Sequence, residues 1–218
     1  MPRKKRIWYP GATYHIMSRG NRRTAIFKDQ RDYISFLECM KIIRERHPFM
    51  LHSICLMTNH FHMAVETSET EIWKIMQKLL SVYAEEFNHR HSLSGHLFEG
   101  RYTSCLIEDE RYFLEVSRYI HLNPVKAMMV REPQAYEYSS YGLFVNEPDE
   151  DCWWDDKGKK SVFLSMMEGL VDTSRVLSCF RHNPREKYRM FVEGKISHAE
   201  QELLIQKDMK EDDLWLPW

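Results

Sequence analysis

The chain has 218 residues, 43% of them hydrophobic and 13% aromatic, with a formal net charge of −1. That length sustains one main core with an appendage more readily than two equal domains, and the composition argues against a disordered or fibrous protein. No stretch approaches the roughly 18 uninterrupted apolar residues of a membrane helix, and the basic start MPRKKRIWYPG has no apolar signal region behind it, so no membrane association and a cytoplasmic location are expected. The cysteines Cys39, Cys55, Cys105, Cys152 and Cys179 are widely spaced with no CxxC pair, which argues against a zinc ribbon or a disulfide framework and predicts buried thiols.

The near-neutral total hides an asymmetry. Residues 1 to 140 hold 20 Lys+Arg against 16 Asp+Glu, and the remainder holds 11 against 16, so a polyanion should meet the first part. No acid precedes Asp29, whereas Arg3, Lys4, Lys5, Arg6, Arg19, Arg22, Arg23 and Lys28 all do. A solvated basic arm is the plain alternative.

In chain order, ATYHIMSR (12–19) reads as a strand ending at the turn residues Gly20 and Asn21. The helical spacing of Tyr33, Phe36, Leu37, Met40 and Ile43 predicts a helix over 29–47, stopped by Pro48. Two apolar runs, 49–57 and 61–65, are separated by Thr58, Asn59 and His60 and suit a hairpin. Ile72, Ile75, Met76, Leu79, Leu80 and Tyr83 form one stripe of a helix over 70–89. Residues 96–107 read as a bent strand with Gly100 at the bend. The order β, α, β, β, α, β is the split βαβ, ferredoxin-like arrangement, giving an α+β domain with an antiparallel sheet. A further helix opens at Asp109 or Glu110 and runs to Pro124. Three organisational units follow: residues 1–145 as the main domain, 146–159 as an acidic, turn-rich linker containing Trp153 and Trp154, and 160–218 as a helical C-terminal extension with stretches at 160–170, 173–181 and 185–193. That extension is either a separate module or a lid on the core.

Chemistry concentrates in two runs. In TNHFHMAVE, His60 and His62 are two apart on a strand, so both imidazoles share a face while Phe61, Met63 and Val65 take the other. Such a pair supplies two arms of a divalent metal site or merely a polar sheet edge. In SRYIHLNPVKA, Tyr119 and Asn123 stand at i and i+4 on one helical face; Tyr119 is a packing residue or a nucleophile, and Tyr102 and Tyr112 compete on chemistry alone. Glu66 shares the face of His60 and His62, either to ligate or orient or as a solvated carboxylate, and His15 on the first strand is equally open. Arg19, Arg22, Arg23, Arg101 and Lys126 flank these runs as candidate phosphate grips, with Tyr14 or Trp8 as stacking surfaces for bases.

Taken together, His60-Phe61-His62 and, about sixty residues on, Tyr119 with Asn123 in YIHLNPV resemble the single-tyrosine HUH transposases. Within them the chain is most similar to the REP-associated tyrosine transposases. The likeness includes YPGATYHIMSRGNRR, GHLFEGRYTS and YEYSSYGLF and spans roughly residues 7 to 145. The resemblance implies a catalytic Tyr119, a metal site of His60, His62 and Asn123, and Mg²⁺ or Mn²⁺ as the cofactor. It also implies single-stranded, hairpin-bearing DNA as the substrate, cut and rejoined through a 5′-phosphotyrosine, by a monomer or homodimer. Two rival readings are a chain that binds structured nucleic acid without cutting it and a metal-dependent hydrolase in which Tyr119 is structural.

Overall fold

The computed structural model describes residues 7–147 and 161–194. The segment holding Cys152, Trp153 and Trp154, and the final DDLWLPW, lie outside them. Four strands, β1 (Thr13–Arg19), β2 (Phe49–Met57), β3 (His60–Thr67) and β4 (Thr103–Ile107), form one antiparallel sheet in the order β2-β3-β1-β4. With α1 (Gln30–Arg46) between β1 and β2, and α2 (Ile72–His91) between β3 and β4, this is the ferredoxin-like α+β architecture expected from the element order.

The elements end where local chemistry ends them. Asp29 caps α1 by accepting from the backbone of Arg31 and Asp32, which satisfies donors the first turn cannot pair. Ser92 closes α2 in the left-handed region at φ 50. The hairpin turn is only Thr58 and Asn59, because His60 already pairs as the first residue of β3. The bent strand expected over 96–107 is interrupted. Phe98 bridges to Gly20 and Glu99 N donates to Arg19 O, the chain then leaves the ladder, and pairing resumes at Thr103.

Each strand presents alternate residues to two different layers. One face carries Phe61, Met63, Ile16 and Ile54 and is covered by α1 and α2, with Phe36 against Phe61 at 5.0 Å and against Tyr83 at 5.0 Å. The two helices are joined at their ends by buried Asp32 on α1, which binds Arg90 and His91 of α2. The other face receives α3 (Glu110–Lys126), capped by Asp109. Pro124 lies inside α3 rather than ending it; the missing N–H costs one bond to the carbonyl of Ile120, and the last turn still forms.

Four short helices complete the described chain: α4 (Tyr141–Val145), α5 (Val162–Glu168), α6 (Ser174–Ser178) and α7 (Pro184–Glu193). They pack on the domain before them. Arg44 of α1 donates to the carbonyls of Gly169 and Leu170, and Asp172 N donates to Leu51 O at the edge of β2. Phe163, Met167, Val176 and Tyr188 are fully buried. Of the cysteines, Cys39 and Cys55 are buried as expected, but Cys105 is half-buried and Cys179 exposed, because β4 is an edge strand and α6 lies at the surface. No helix among the described residues is long and apolar enough to cross a membrane.

Candidate active site

The open face of the sheet and the helix laid across it bring the two motif runs together. Strand pairing sets Arg19 opposite His60 and Met17 opposite His62, and cross-strand partners share a face. His60 and His62 therefore project with His15 toward α3, away from the aromatic core. Tyr119 comes down from α3 so that its ring meets His62 edge-on at 5.3 Å and His15 edge-on at 5.6 Å between centroids. The His60 and His62 rings are 5.2 Å apart and nearly perpendicular.

Burial sets the electrostatics. Desolvation lowers His15 to about 4, and His60 to about 4 with help from the Arg19 charge; His62 is held well below the usual histidine range by burial and by its charged-state repulsion with His15, His60 and Lys126. All three rings are thus neutral at physiological pH and keep a lone pair for a cation. Burial pushes the Tyr119 phenol up to about 12, a hydrogen bond with the Asn123 side chain pulling weakly the other way. Lys126 lies two turns further along the same face of α3, its ammonium 4.4 Å from the centre of the Tyr119 ring, and desolvation lowers it to about 8.

Among the buried side-chain nitrogens and oxygens without a hydrogen-bond partner, which include atoms of Trp8, Ser35, His52 and Ser53, two lie in the site: Nε2 of His60 and Nε2 of His62. A buried nitrogen without a partner is costly, and two of them on one face fit a divalent cation taken by imidazole. Their other nitrogens are engaged, His60 Nδ1 with Asn59 Oδ1 at 2.7 Å and His62 Nδ1 with His15 Nε2 at 3.1 Å. Asn123 is buried, and its Nδ2 donates to Tyr119 O at 2.8 Å, which leaves the amide oxygen as an available oxygen donor. Among the described residues no group of three or more His, Cys, Asp or Glu side chains is arranged to hold a metal.

The other expected residues spread out. Arg19 pairs with Glu99 at the same end of the sheet. Arg22 and Arg23 are exposed and both adopt left-handed backbone, φ 53 and φ 59, a strained pair; Arg101 is exposed. Tyr14 is buried with its hydroxyl donating to Ile7 O, so it offers no stacking surface. Glu66 lies at the far end of β3, about 13 Å along the strand from His62, bound instead to His52 and Arg175. Of the three tyrosines weighed, Tyr102 is buried elsewhere and Tyr119 is the one against the histidines.

A polar chain behind α3 was not foreseen. Ser117 Oγ meets Tyr188 Oη at 2.6 Å, Tyr188 Oη meets His121 Nδ1 at 2.7 Å, and His121 Nε2 meets Ser140 Oγ at 2.9 Å. Ser140 Oγ donates its one proton to Ile54 O, so it accepts from His121 Nε2–H. His121 Nδ1 then accepts from Tyr188, and Ser117 donates to Tyr188. The IHLN run carried a hint in His121, but nothing local marked Tyr188, which lies 67 residues further on.

The sheet, the helix across it and the histidines and tyrosine between them define a ferredoxin-like α+β fold with a histidine–tyrosine site on one face of the sheet. The chain belongs to the family "Transposase IS200 like", whose model matches residues 9–123, more than half of the sequence. A REP-associated tyrosine transposase solved bound to a REP hairpin is similar with TM-score 0.58 and 17% identity, over 71% of this chain and 92% of that one, a likeness of fold. A Deinococcus radiodurans R1 protein solved as a candidate transposase gives TM-score 0.40 and 15% identity, over 55% of this chain and 95% of that one, too low to carry weight. No curated protein matches the chain.

Proposed function

We propose that this transposase-family chain cuts and rejoins single-stranded, hairpin-bearing DNA by metal-dependent transesterification, with Tyr119 as the nucleophile and His60, His62 and Asn123 as the metal ligands. The observation that carries it is the pair of unpartnered, buried Nε2 atoms of His60 and His62 on the face where the Tyr119 ring rests. Mg²⁺ or Mn²⁺ suits a mixed imidazole and oxygen set in turnover.

Bound there, the cation supplies positive charge that polarises the scissile phosphate and offsets the charge developing on its oxygens. The rest falls to this chain's residues. His60 and His62, neutral through burial, present lone pairs at neutral pH. The phenol, raised to about 12, stays protonated until it reacts. Its oxygen then bonds to phosphorus, the bond from phosphorus to the 3′ oxygen breaks, and the proton lost by Tyr119 is balanced by the one gained at the new 3′-hydroxyl. The 5′-phosphotyrosine keeps the ester energy, so another 3′-hydroxyl reverses the step without ATP. Arg19, Arg22, Arg23, Arg101 and Lys126 serve as phosphate contacts. We assign the reaction to residues 1–145, treat 146–159 as a linker and 160–218 as an appended helical extension, and place the protein in the cytoplasm.

The test uses end-labelled single-stranded hairpins from DNA flanking its own gene, with Mn²⁺ and either wild type or Tyr119→Phe. A denaturant-resistant protein–DNA band with wild type alone is expected. Binding by both proteins with no band from either overturns the nuclease in favour of a binding-only protein, and free 5′-phosphate ends without attachment favour the water-using hydrolase.

A further inference from the structure

His15 lies outside the metal-ligand set above, yet it is the group to which the Nδ1 of His62 is committed. Strand pairing sets His15 opposite Ala64, while His62 stands opposite Met17. The small Ala64 side chain leaves room for the His15 ring to lean along the diagonal, a reach that cross-strand geometry permits for long or aromatic groups. The result is a 3.1 Å contact from His15 Nε2 to His62 Nδ1, with the rings stacked at 5.3 Å and 25°. Both residues are buried, at 6% and 3% exposure, so the contact is shielded from water.

Only one of these two nitrogens can carry the shared proton. If His15 Nε2–H donated, His62 would bear its own proton on Nε2 and bury an N–H with no acceptor, since that atom has no partner. If His62 Nδ1–H donates, His62 Nε2 is left with a bare lone pair aimed into the site. Buried donors without acceptors are the rarer defect in folded proteins, and only the second arrangement leaves a lone pair for a metal.

We infer that His15 is a positioning residue that accepts the Nδ1–H of His62 and thereby fixes the tautomer and ring orientation in which His62 Nε2 faces the metal. This rests on the metal-centre reading above. Outer partners of this kind hold ligating imidazoles in place, and their loss typically weakens metal binding 10- to 100-fold. A neutral imidazole in this role, in place of a carboxylate, adds no negative charge where a DNA phosphate must approach.

The test takes the full-length chain as wild type, His15→Leu, His15→Gln and His60→Ala. Mn²⁺ affinity is read from the paramagnetic resonance of free Mn²⁺, and the His62 tautomer from ¹⁵N spectra of histidine-labelled, metal-free protein, with thermal melts to verify folding. Expected are a His62 with protonated Nδ1 and bare Nε2 in wild type, a mixture in His15→Leu with Mn²⁺ affinity about 10- to 100-fold weaker, and recovery in His15→Gln, whose amide oxygen can accept. Wild-type affinity and an unchanged tautomer in His15→Leu overturn the inference alone, provided His60→Ala has lost Mn²⁺. Absence of His60-dependent Mn²⁺ binding in wild type overturns the inference together with the metal-centre reading. Should His15→Leu fail to fold, the wild-type spectrum decides, because a His62 protonated on Nε2 overturns the inference.

Discussion

At the scale of single residues, positions near the site hold conformations or unpaired atoms that folding alone does not favour. His60 Nε2 is buried without a partner, a cost that function can justify and stability cannot. His60→Leu is therefore expected to match or exceed the wild-type melting temperature without metal, and to lose the rise that Mn²⁺ gives wild type by binding the folded state; a metal-induced rise in both proteins would contradict the assignment. Gly20 is the opposite case, a purely steric requirement. A Cβ there would lie 2.1 Å from the carbonyl oxygen of Thr24, so Gly20→Ala must displace the turn that carries Arg22 and Arg23. About 1–3 kcal/mol of destabilisation in urea unfolding is expected, in line with other overpacked sites.

At the scale of elements, α3 is held from both sides. Tyr119 faces the sheet histidines, while Ser117 and His121 bind Tyr188, and Arg118 donates to the carbonyls of Val192 and Gly194 at the end of α7. The helix that carries the phenol is thus clamped by residues 67 to 76 positions later in the chain. Tyr188→Phe leaves His121 Nδ1 without its donor and Ser117 without its acceptor, both buried, at a cost of about 1–3 kcal/mol for each polar group stranded. Equilibrium unfolding should report it; a loss under about 0.5 kcal/mol would mean that water replaces the hydroxyl.

For the whole molecule, the buried imidazoles set the response to acid. His15 titrates at about 4 and His121 at about 3 in the folded chain, both lowered by burial, against about 6.5 when unfolded. Above pH 6.5 neither state binds the proton and stability is full; between pH 6.5 and about 4 the unfolded chain takes up protons that the folded chain refuses, so stability falls as pH falls. Each such histidine contributes about 1.4 kcal/mol per pH unit in that window. Melting curves from pH 7.5 to 4.5 should drop steadily below pH 6.5, and a flat profile would show that these rings are solvated. Cutting the chain after residue 160 should likewise cause loss of the folded state in denaturation profiles, because it removes Phe163, Met167, Val176 and Tyr188 from the core and the partners of Ser117, Arg118 and His121.

The sequence by itself determined everything governed by backbone period. Alternation along a strand put His60 and His62 on one face and Phe61 on the other, and the 3.6-residue turn put Tyr119 and Asn123 together, because those periods are properties of the local chain. The element order was enough to give the sheet its topology. The tertiary structure alone decided which face α3 would cover, how close Tyr119 comes to His62, that Glu66 belongs to Arg175, that His15 holds His62, and that Tyr188 closes a hydrogen-bond chain behind α3. These contacts join residues 47 to 109 positions apart, and no local spacing encodes which buried donor will find which acceptor until packing has excluded water from both.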